Sequence, residues 1–262
     1  MERAESLVFD RAVEYYDKTR SLSSTTMHKL VPLIRASVGG GPCLEIGVGT
    51  GRIALPLQAG GTGMVGLDLS QAMMQRLVHN AGGDAPFPLV RADASSLPFI
   101  DASFSAALAV HVLHLIPEWK QSVAELGRVV RPSGSIVIDI GRETQGPFRD
   151  LLAEFASAAR IPEAHRGVKD TDELDAAMTE MGARLTGTDV IDEVRSATYA
   201  KTIQALEDGT YSITWPADQA TREKAANHTR RWVESRYGAL DQRYEYKLEV
   251  ALRTYVLPPG PI

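Results

Sequence analysis

Short apolar runs bounded by turn residues recur along the first half of the chain, and stretches with helical spacing separate them. Leu44 to Ile46 ends one such run. Met64-Val65-Gly66-Leu67-Asp68 is the next, behind the turn Gly60-Gly61-Thr62-Gly63, and Leu89-Val90-Arg91 is a third. Phe104 to Val110 gives a fourth, and Ser135-Ile136-Val137-Ile138-Asp139, introduced by Pro132-Ser133-Gly134, a fifth. Continuous apolar runs of this length between turn signals read as buried strands. Between them, Ser70 is placed to cap a helix through Met73, Met74 and Leu77. Pro117 stands where a helix start tolerates proline, and Val123, Leu126 and Val130 follow at helical spacing. Strand–helix alternation predicts an α/β protein whose parallel sheet is covered on both faces.

The end of the chain carries a different period. Tyr244, Tyr246, Leu248, Val250, Leu252 and Val256 alternate with Glu245, Lys247, Glu249 and Arg253, as in a long half-exposed or edge strand. Val190 through Val194 is a sixth strand before it. Two regions stand outside the alternation: two helices over residues 1–38, and a helical insert over 195–242. The expected division is an N-terminal helical cap (1–38), a core (39–194), the insert as an acceptor lid (195–242), and a final core strand and tail (243–262). The Pro258-Pro259-Gly260-Pro261 tail is expected to be loose.

At 262 residues the chain suits one large domain or one plus a subdomain. A net charge of -5 weighs against a nucleic-acid partner, since phosphate backbones are met by basic faces. Cys43 is alone, so neither a disulfide framework nor a cysteine-rich metal site is expected, and its apolar strand makes it a buried structural thiol. The start, Met1-Glu2-Arg3-Ala4-Glu5, lacks a signal pattern, and no run is apolar for 18 residues. The expectation is a soluble cytoplasmic protein without membrane or nucleic-acid partners, monomeric or homodimeric.

Candidate chemistry begins at Cys43-Leu44-Glu45-Ile46-Gly47-Val48-Gly49-Thr50-Gly51. Here a strand ends, the chain turns through alternating glycines, and a helix follows through Arg52-Ile53-Ala54-Leu55. Glycine permits such a turn and lets a ligand come within contact distance of the backbone. A dinucleotide fingerprint requires glycine or alanine at position 52, where Arg52 stands, and has no use for Glu45 facing a pyrophosphate. Glu45 suits a ligand with a positive end and no phosphate, such as S-adenosylmethionine. Asp68 ends the second strand roughly twenty residues past the first glycine, where an acid can accept both ribose hydroxyls.

With Asp93 and the Leu97-Pro98-Phe99 loop, these residues resemble the class I S-adenosylmethionine-dependent methyltransferases, in particular small-molecule enzymes related to ubiquinone and menaquinone biosynthesis. The segment from Val110-His111 through Val129-Val130-Arg131-Pro132-Ser133-Gly134 strengthens the resemblance, although the family turn is R-P-G-G. The resemblance implies a Rossmann-like, mostly parallel seven-stranded sheet with helices on both faces, an antiparallel last strand beside the sixth, and helical lid elements. It implies S-adenosyl-L-methionine as cofactor, S-adenosyl-L-homocysteine as product and a small-molecule acceptor. It also implies that Glu45, Gly47, Val48, Gly49, Gly51, Asp68, Leu69, Met73, Asp93, Ala94 and Val110 form the cofactor site. Asp93 would receive the adenine amino group; a turn cap before Ser95-Ser96 is its alternative role. Tyr15-Tyr16-Asp17-Lys18-Thr19-Arg20 resembles the family's Y-D-x-x-R segment, in which Tyr16 and Arg20 would close over the methionine end. A packed amphipathic helix is the alternative.

His111 and His114 follow the fourth strand, at the carboxyl edge where open α/β sheets bind ligands. A neutral histidine there could take a proton from an acceptor as the methyl transfers, and His111, nearer the strand tip, is the better candidate. A structural histidine is the competing role for each, and no metal site is expected around them. The fourth strand lacks the Asn/Asp-Pro-Pro-aromatic motif of nucleic-acid and glutamine amino-methylating enzymes. Tyr211, Trp215, Trp232 and Tyr237 in the insert could pack as core or face an apolar acceptor. The reading is methyl transfer to O, N or C of a small molecule. The alternatives are a nicotinamide oxidoreductase and a non-catalytic S-adenosylmethionine-binding module.

Overall fold

The computed structural model describes residues 9–141, 143–162 and 167–260. The chain start Met1 to Glu5 and the tail residue Pro261 lie outside these. The chain divides into two compact units: 1–142, 165–191 and 250–262 form the first, 143–164 and 192–249 the second.

In the first unit, β1 (Cys43–Ile46) lies between β2 (Met64–Asp68) and β4 (Phe104–Val110), parallel to both. β3 (Leu89–Arg91) continues the parallel sheet beyond β2, and β5 (Val130–Asp139) continues it beyond β4. β8 (Arg243–Val256) then runs antiparallel to β5, with Ser135 opposite Val256 and Ile138 opposite Arg253. β7 (Arg184–Thr198) pairs with β8, and Thr186 Oγ1 donates to the Thr254 carbonyl at 3.1 Å. The parallel strands thus run in the order β3-β2-β1-β4-β5. Strand order reverses between β1 and β4, and the crevice at the carboxyl ends of such a pair is where open α/β sheets bind ligands.

Both sheet faces are buried, which explains why the central strands read as continuous apolar runs. Along β4, Ala106, Leu108 and Val110 enter one cluster and Ala107 and Ala109 the other. The first face is covered by α2 (Ser24–Val38), α3 (Ala54–Ala59) and α4 (Gln71–Asn80) through Leu30, Ile34, Leu57 and Leu77. The second is covered by α5 (Trp119–Val129) and α7 (Thr171–Glu180) through Val123, Leu126, Leu174 and Met178. Ser70 caps α4, accepting from the Met73 N–H at 3.0 Å. Cys43 is fully buried, and burial pushes its thiol well above the usual range, as a structural thiol requires.

Three features differ from the sequence expectation. Among the described residues there are eight strands, not seven; the additional β6 (Glu143–Gln145) pairs antiparallel with β8 in the second unit. β5 begins at Val130, because Pro132-Ser133-Gly134 forms a bulge within the strand, with Ser133 at φ 58°, and not a turn before it. The units are also drawn along other lines than 1–38, 39–194, 195–242 and 243–262. α2 is a layer of the first core, whereas α1 (Val13–Arg20), behind a 3₁₀ turn over Asp10–Ala12, buries no residue. α6 (Pro147–Ala158) groups with α8 (Tyr199–Glu207) and α9 (Gln219–Arg236) in the second unit.

The second unit has its own core of Phe148, Leu151, Phe155, Tyr199, Ile203, Leu206 and Val233. Tyr211, Trp232 and Tyr237 pack against it, and Tyr237 stacks on Tyr199 with ring centroids 5.1 Å apart. Trp215 Nε1 donates to the Gly209 carbonyl at 2.9 Å. In the insert, then, three of the four aromatic residues singled out from the sequence serve its packing.

Candidate active site

The turn after β1 builds the floor of an open cavity at the carboxyl edge of the sheet, lined by Glu45, Asp68 and Asp93 among others. Gly47 (φ 66°) and Gly49 (φ 54°) adopt the left-handed conformation that glycine alone takes without penalty. A Cβ on Gly47 would fall 2.8 Å from Val112 Cβ, so the turn after β1 and the segment after β4 meet with no room for a side chain. Gly51 does not line the cavity; its bare Cα leaves space for Leu55 and Leu77.

Glu45 reaches this floor from the end of β1 and is 2% exposed. Among the described residues its Oε2 has no hydrogen-bond partner, an expensive condition for a buried carboxyl. Burial pushes the carboxyl up to about 8; the nearby Arg52 charge and the Ala54 N–H pull the other way, and the Asp68 charge adds to the rise. A cation entering beside Glu45 would give that oxygen a partner and restore its ionised form.

Asp68 closes one side. Its Oδ2 accepts from the Gly49 N–H and its Oδ1 from the Ser70 N–H, both at 2.8 Å, which fixes the carboxylate against the glycine turn. Burial raises its pKa, and those backbone hydrogen bonds limit the rise. Asp93 is exposed at the rim, and its Oδ1 accepts from the Ser95 N–H and hydroxyl at 2.8 Å each. The turn-cap role is therefore filled, while the residue still lines the cavity beside Ala94. Val48, Leu69, Met73 and Val110 line it as well.

The Leu97-Pro98-Phe99 loop lies outside the cavity lining. Arg128 holds it, donating to the Leu97 and Phe99 carbonyls at 2.9 and 2.7 Å, and Glu125 accepts from the Leu97 N–H at 2.7 Å.

Over the floor comes α1. Tyr16 lines the cavity, with Phe9 packed edge-on against it at 5.8 Å. Arg20 does not; with Asp17, Pro56 and Asn80 it lines an adjoining depression that shares Tyr16, Thr50 and Arg52 with the cavity. Asp17 secures the helix: its carboxylate accepts from Thr50 Oγ1 at 2.6 Å, Arg76 Nε at 3.2 Å and Asn80 Nδ2 at 3.1 Å. Burial opposes its ionisation, but these three bonds outweigh burial and hold the carboxyl below its usual range. Ser70 donates to Asp10 and ties the 3₁₀ turn to the α4 cap in the same way.

His111 follows β4 directly and lines the cavity. It has φ 58°, and its N–H donates to the Asp139 carbonyl at 2.8 Å. His114, in the 3₁₀ turn Leu113–Leu115, is absent from the lining; its ring lies behind that of His111, centroids 4.6 Å apart. Sequence reasoning missed Phe9, Thr50, Ile53, Val112, Leu115 and Ile116 in the wall. It also missed Arg52, which had counted only as evidence against a dinucleotide fold. The alternation of Val112, Leu115 and Ile116 about His114 was a readable sign of one apolar face.

A methyltransferase-domain family model matches residues 44–138, the stretch that contains the glycine turn, both acids at the strand ends and His111. The demethylmenaquinone methyltransferase of Renibacterium salmoninarum is 31% identical over 164 residues, covering 61% of this chain and 68% of that one. The chain belongs to the class I S-adenosylmethionine-dependent methyltransferases. The demethylmenaquinone methyltransferase of Clavibacter sepedonicus is 36% identical over 137 residues, 51% of this methyltransferase, and the match spans just over half (56%) of that relative. A putative methyltransferase from Bacillus halodurans has the same fold, with a TM-score of 0.62 at 18% identity, covering 90% of this chain and 100% of that one. The methyltransferase is thus related to quinone-biosynthesis enzymes, and the nicotinamide oxidoreductase alternative falls away. No helix among the described residues is long and apolar enough to cross a membrane.

Proposed function

We propose that the cavity holds S-adenosyl-L-methionine, with Glu45 on its ammonium, Asp68 on the ribose hydroxyls and Asp93 with the Ala94 N–H on the adenine. The observation that carries this is the buried Glu45 oxygen without a partner, set beside a turn that only glycine can form. When bound, the sulfonium supplies an already electrophilic methyl group. The protein's work is then alignment and exclusion of water. The glycine turn and Asp68 set the donor's position from below, and Tyr16 on its tethered helix covers it.

The acceptor is a small molecule that presents an oxygen, nitrogen or acidic carbon toward His111. The apolar side chains of Val112, Leu115 and Ile116 on the same wall favour an acceptor with an apolar or aromatic body. His111 removes the acceptor's proton as the methyl transfers, and His114 orients its ring from behind. The test is calorimetry with S-adenosylmethionine and S-adenosylhomocysteine against NAD and NADP. It is followed by a metabolite-extract screen with isotope-labelled donor for one newly labelled mass. Tight NADP binding without a response to S-adenosylhomocysteine would overturn the reading, and cofactor binding with no labelled product would leave a binding module.

A further inference from the structure

β7 is 15 residues long and, among the described residues, pairs with β8 alone, so one of its edges is open. An open edge is a row of backbone donors and acceptors ready for another chain, and proteins commonly blunt it with proline, lysine or brevity. β7 uses none of these: Arg184 to Thr198 contains neither proline nor lysine. Its one buried charge, Glu193, is paired with Arg195 of the same strand. Val190 and Val194 are 53% and 66% exposed, the two most exposed large apolar side chains on any described strand. Spaced by four, they share one face, with Asp192 between them. Lys247 of the same chain neutralises Asp192 at 2.7 Å.

Two identical antiparallel strands related by a two-fold axis set residues at equal distances from the axis opposite one another, on the same face. Of the centres along β7, only Asp192 brings both valines onto valines and an acid onto a base. Val190 then meets Val194 of the second copy, Asp189 meets Arg195, and Thr188 meets Ser196, each pair occurring twice. Apolar, opposite-charge and hydroxyl pairs of this kind are what stabilise neighbouring strands. Arg195 has five N–H donors, enough for Glu193 on its own chain and Asp189 across the axis. The two Asp192 carboxylates meet at the axis, each with its Lys247 beside it. A partner of another sequence has no need of a strand whose pattern matches from both ends; a second copy does. We propose that β7 is the edge at which two copies of this chain pair, antiparallel and centred on Asp192, covering Val190 and Val194 in both.

The experiment is sedimentation equilibrium of the intact chain across the micromolar range, with wild type, Val194→Lys and Asp189→Arg. Wild type should have twice the chain mass. Val194→Lys puts a charge into the apolar pair, Asp189→Arg sets like charges opposite each other, and both should sediment as monomers. Because either change could act by unfolding, the register is read separately with cysteines. Asp192→Cys should form a disulfide-linked dimer under mild oxidation, since directly opposed Cα atoms lie about 4.5–5.5 Å apart, within disulfide reach. Val190→Cys should not, because the two copies of that position are about 13 Å apart along the strands. Wild type that is monomeric throughout overturns the proposal, and so does a dimer that survives both charge changes. Failure of Asp192→Cys to cross-link, or cross-linking of Val190→Cys as readily, overturns it as well.

Discussion

The turns after β1 and β4 leave neighbouring parallel strands at the same edge of the sheet, and both pass through the left-handed region. The first does so at glycines, which present bare backbone to whatever lies above. The second does so at His111, a residue with a side chain, at a strain on the order of 1 kcal/mol. One turn is shaped to let a ligand come close; the other holds one side chain in a fixed direction. They touch where Val112 covers Gly47, so the geometry of each depends on the other. Strain kept at a cavity wall, beside a turn built to avoid strain, sets the backbone of His111 apart from that of Gly47 and Gly49.

The comparison breaks first at His111. His111→Ala and His111→Gln should lower turnover by about 10²- to 10⁴-fold, with S-adenosylhomocysteine affinity nearly unchanged, as loss of a general base requires. Steady-state kinetics alongside calorimetry reads both quantities. A variant that keeps near-full turnover would reduce the second turn to alignment alone.

Next in size is the contact between the turns. Gly47→Ala puts a methyl into Val112 at a positive φ and should destabilise the fold by about 2–4 kcal/mol in denaturant titrations. Adding Val112→Ala should recover only part of the overpacking share, because the Cβ that alanine keeps still lies 2.8 Å from the new methyl, and should leave the conformational share. Full additivity of the two changes would show that the turns do not bear on each other.

Glu45→Gln should act in opposite directions on stability and binding. The folded carboxyl sits near 8 against an ordinary value of 4.5, so the stability it contributes when protonated is complete below about pH 4.5 and is lost as pH rises to 8. The ligand-free Gln variant should therefore melt higher than wild type at pH 8, by up to a few kcal/mol, and equally at pH 4.5. Its affinity for S-adenosylhomocysteine should be lower by about 10- to 100-fold at pH 8. Wild-type affinity should climb between pH 6 and 8 as the carboxylate forms, while the variant's stays flat. A flat wild-type profile would remove Glu45 from the ammonium.

The smallest effect isolates the strain. His111→Gly should be more stable than His111→Ala by about 1 kcal/mol, because glycine meets φ 58° without cost, although both lose the proton acceptor. Equal stability would mean that the second turn stores nothing.

By itself the sequence determined what depends on neighbours along the chain. Each apolar run between turn residues became a strand, and the central ones, β1 and β4, are buried along their whole length, as strands covered on both faces are. Ser70 became a cap because its hydroxyl meets an N–H three residues away, and the glycines could be read as a turn because their conformational freedom is their own. Tertiary structure decided what depends on which faces meet. An amphipathic α2 has the same pattern whether it caps a site or covers a sheet, and Leu30 and Ile34 show that it covers one. Glu143-Thr144-Gln145 has no apolar period, and pairing with β8 alone makes it a strand. Asp17 reaches Thr50, Arg76 and Asn80, and the same helix end leaves Arg20 outside the cavity that Arg52 lines. Periodicity reports which residues share a face; only the packed chain brings together residues that are far apart along it.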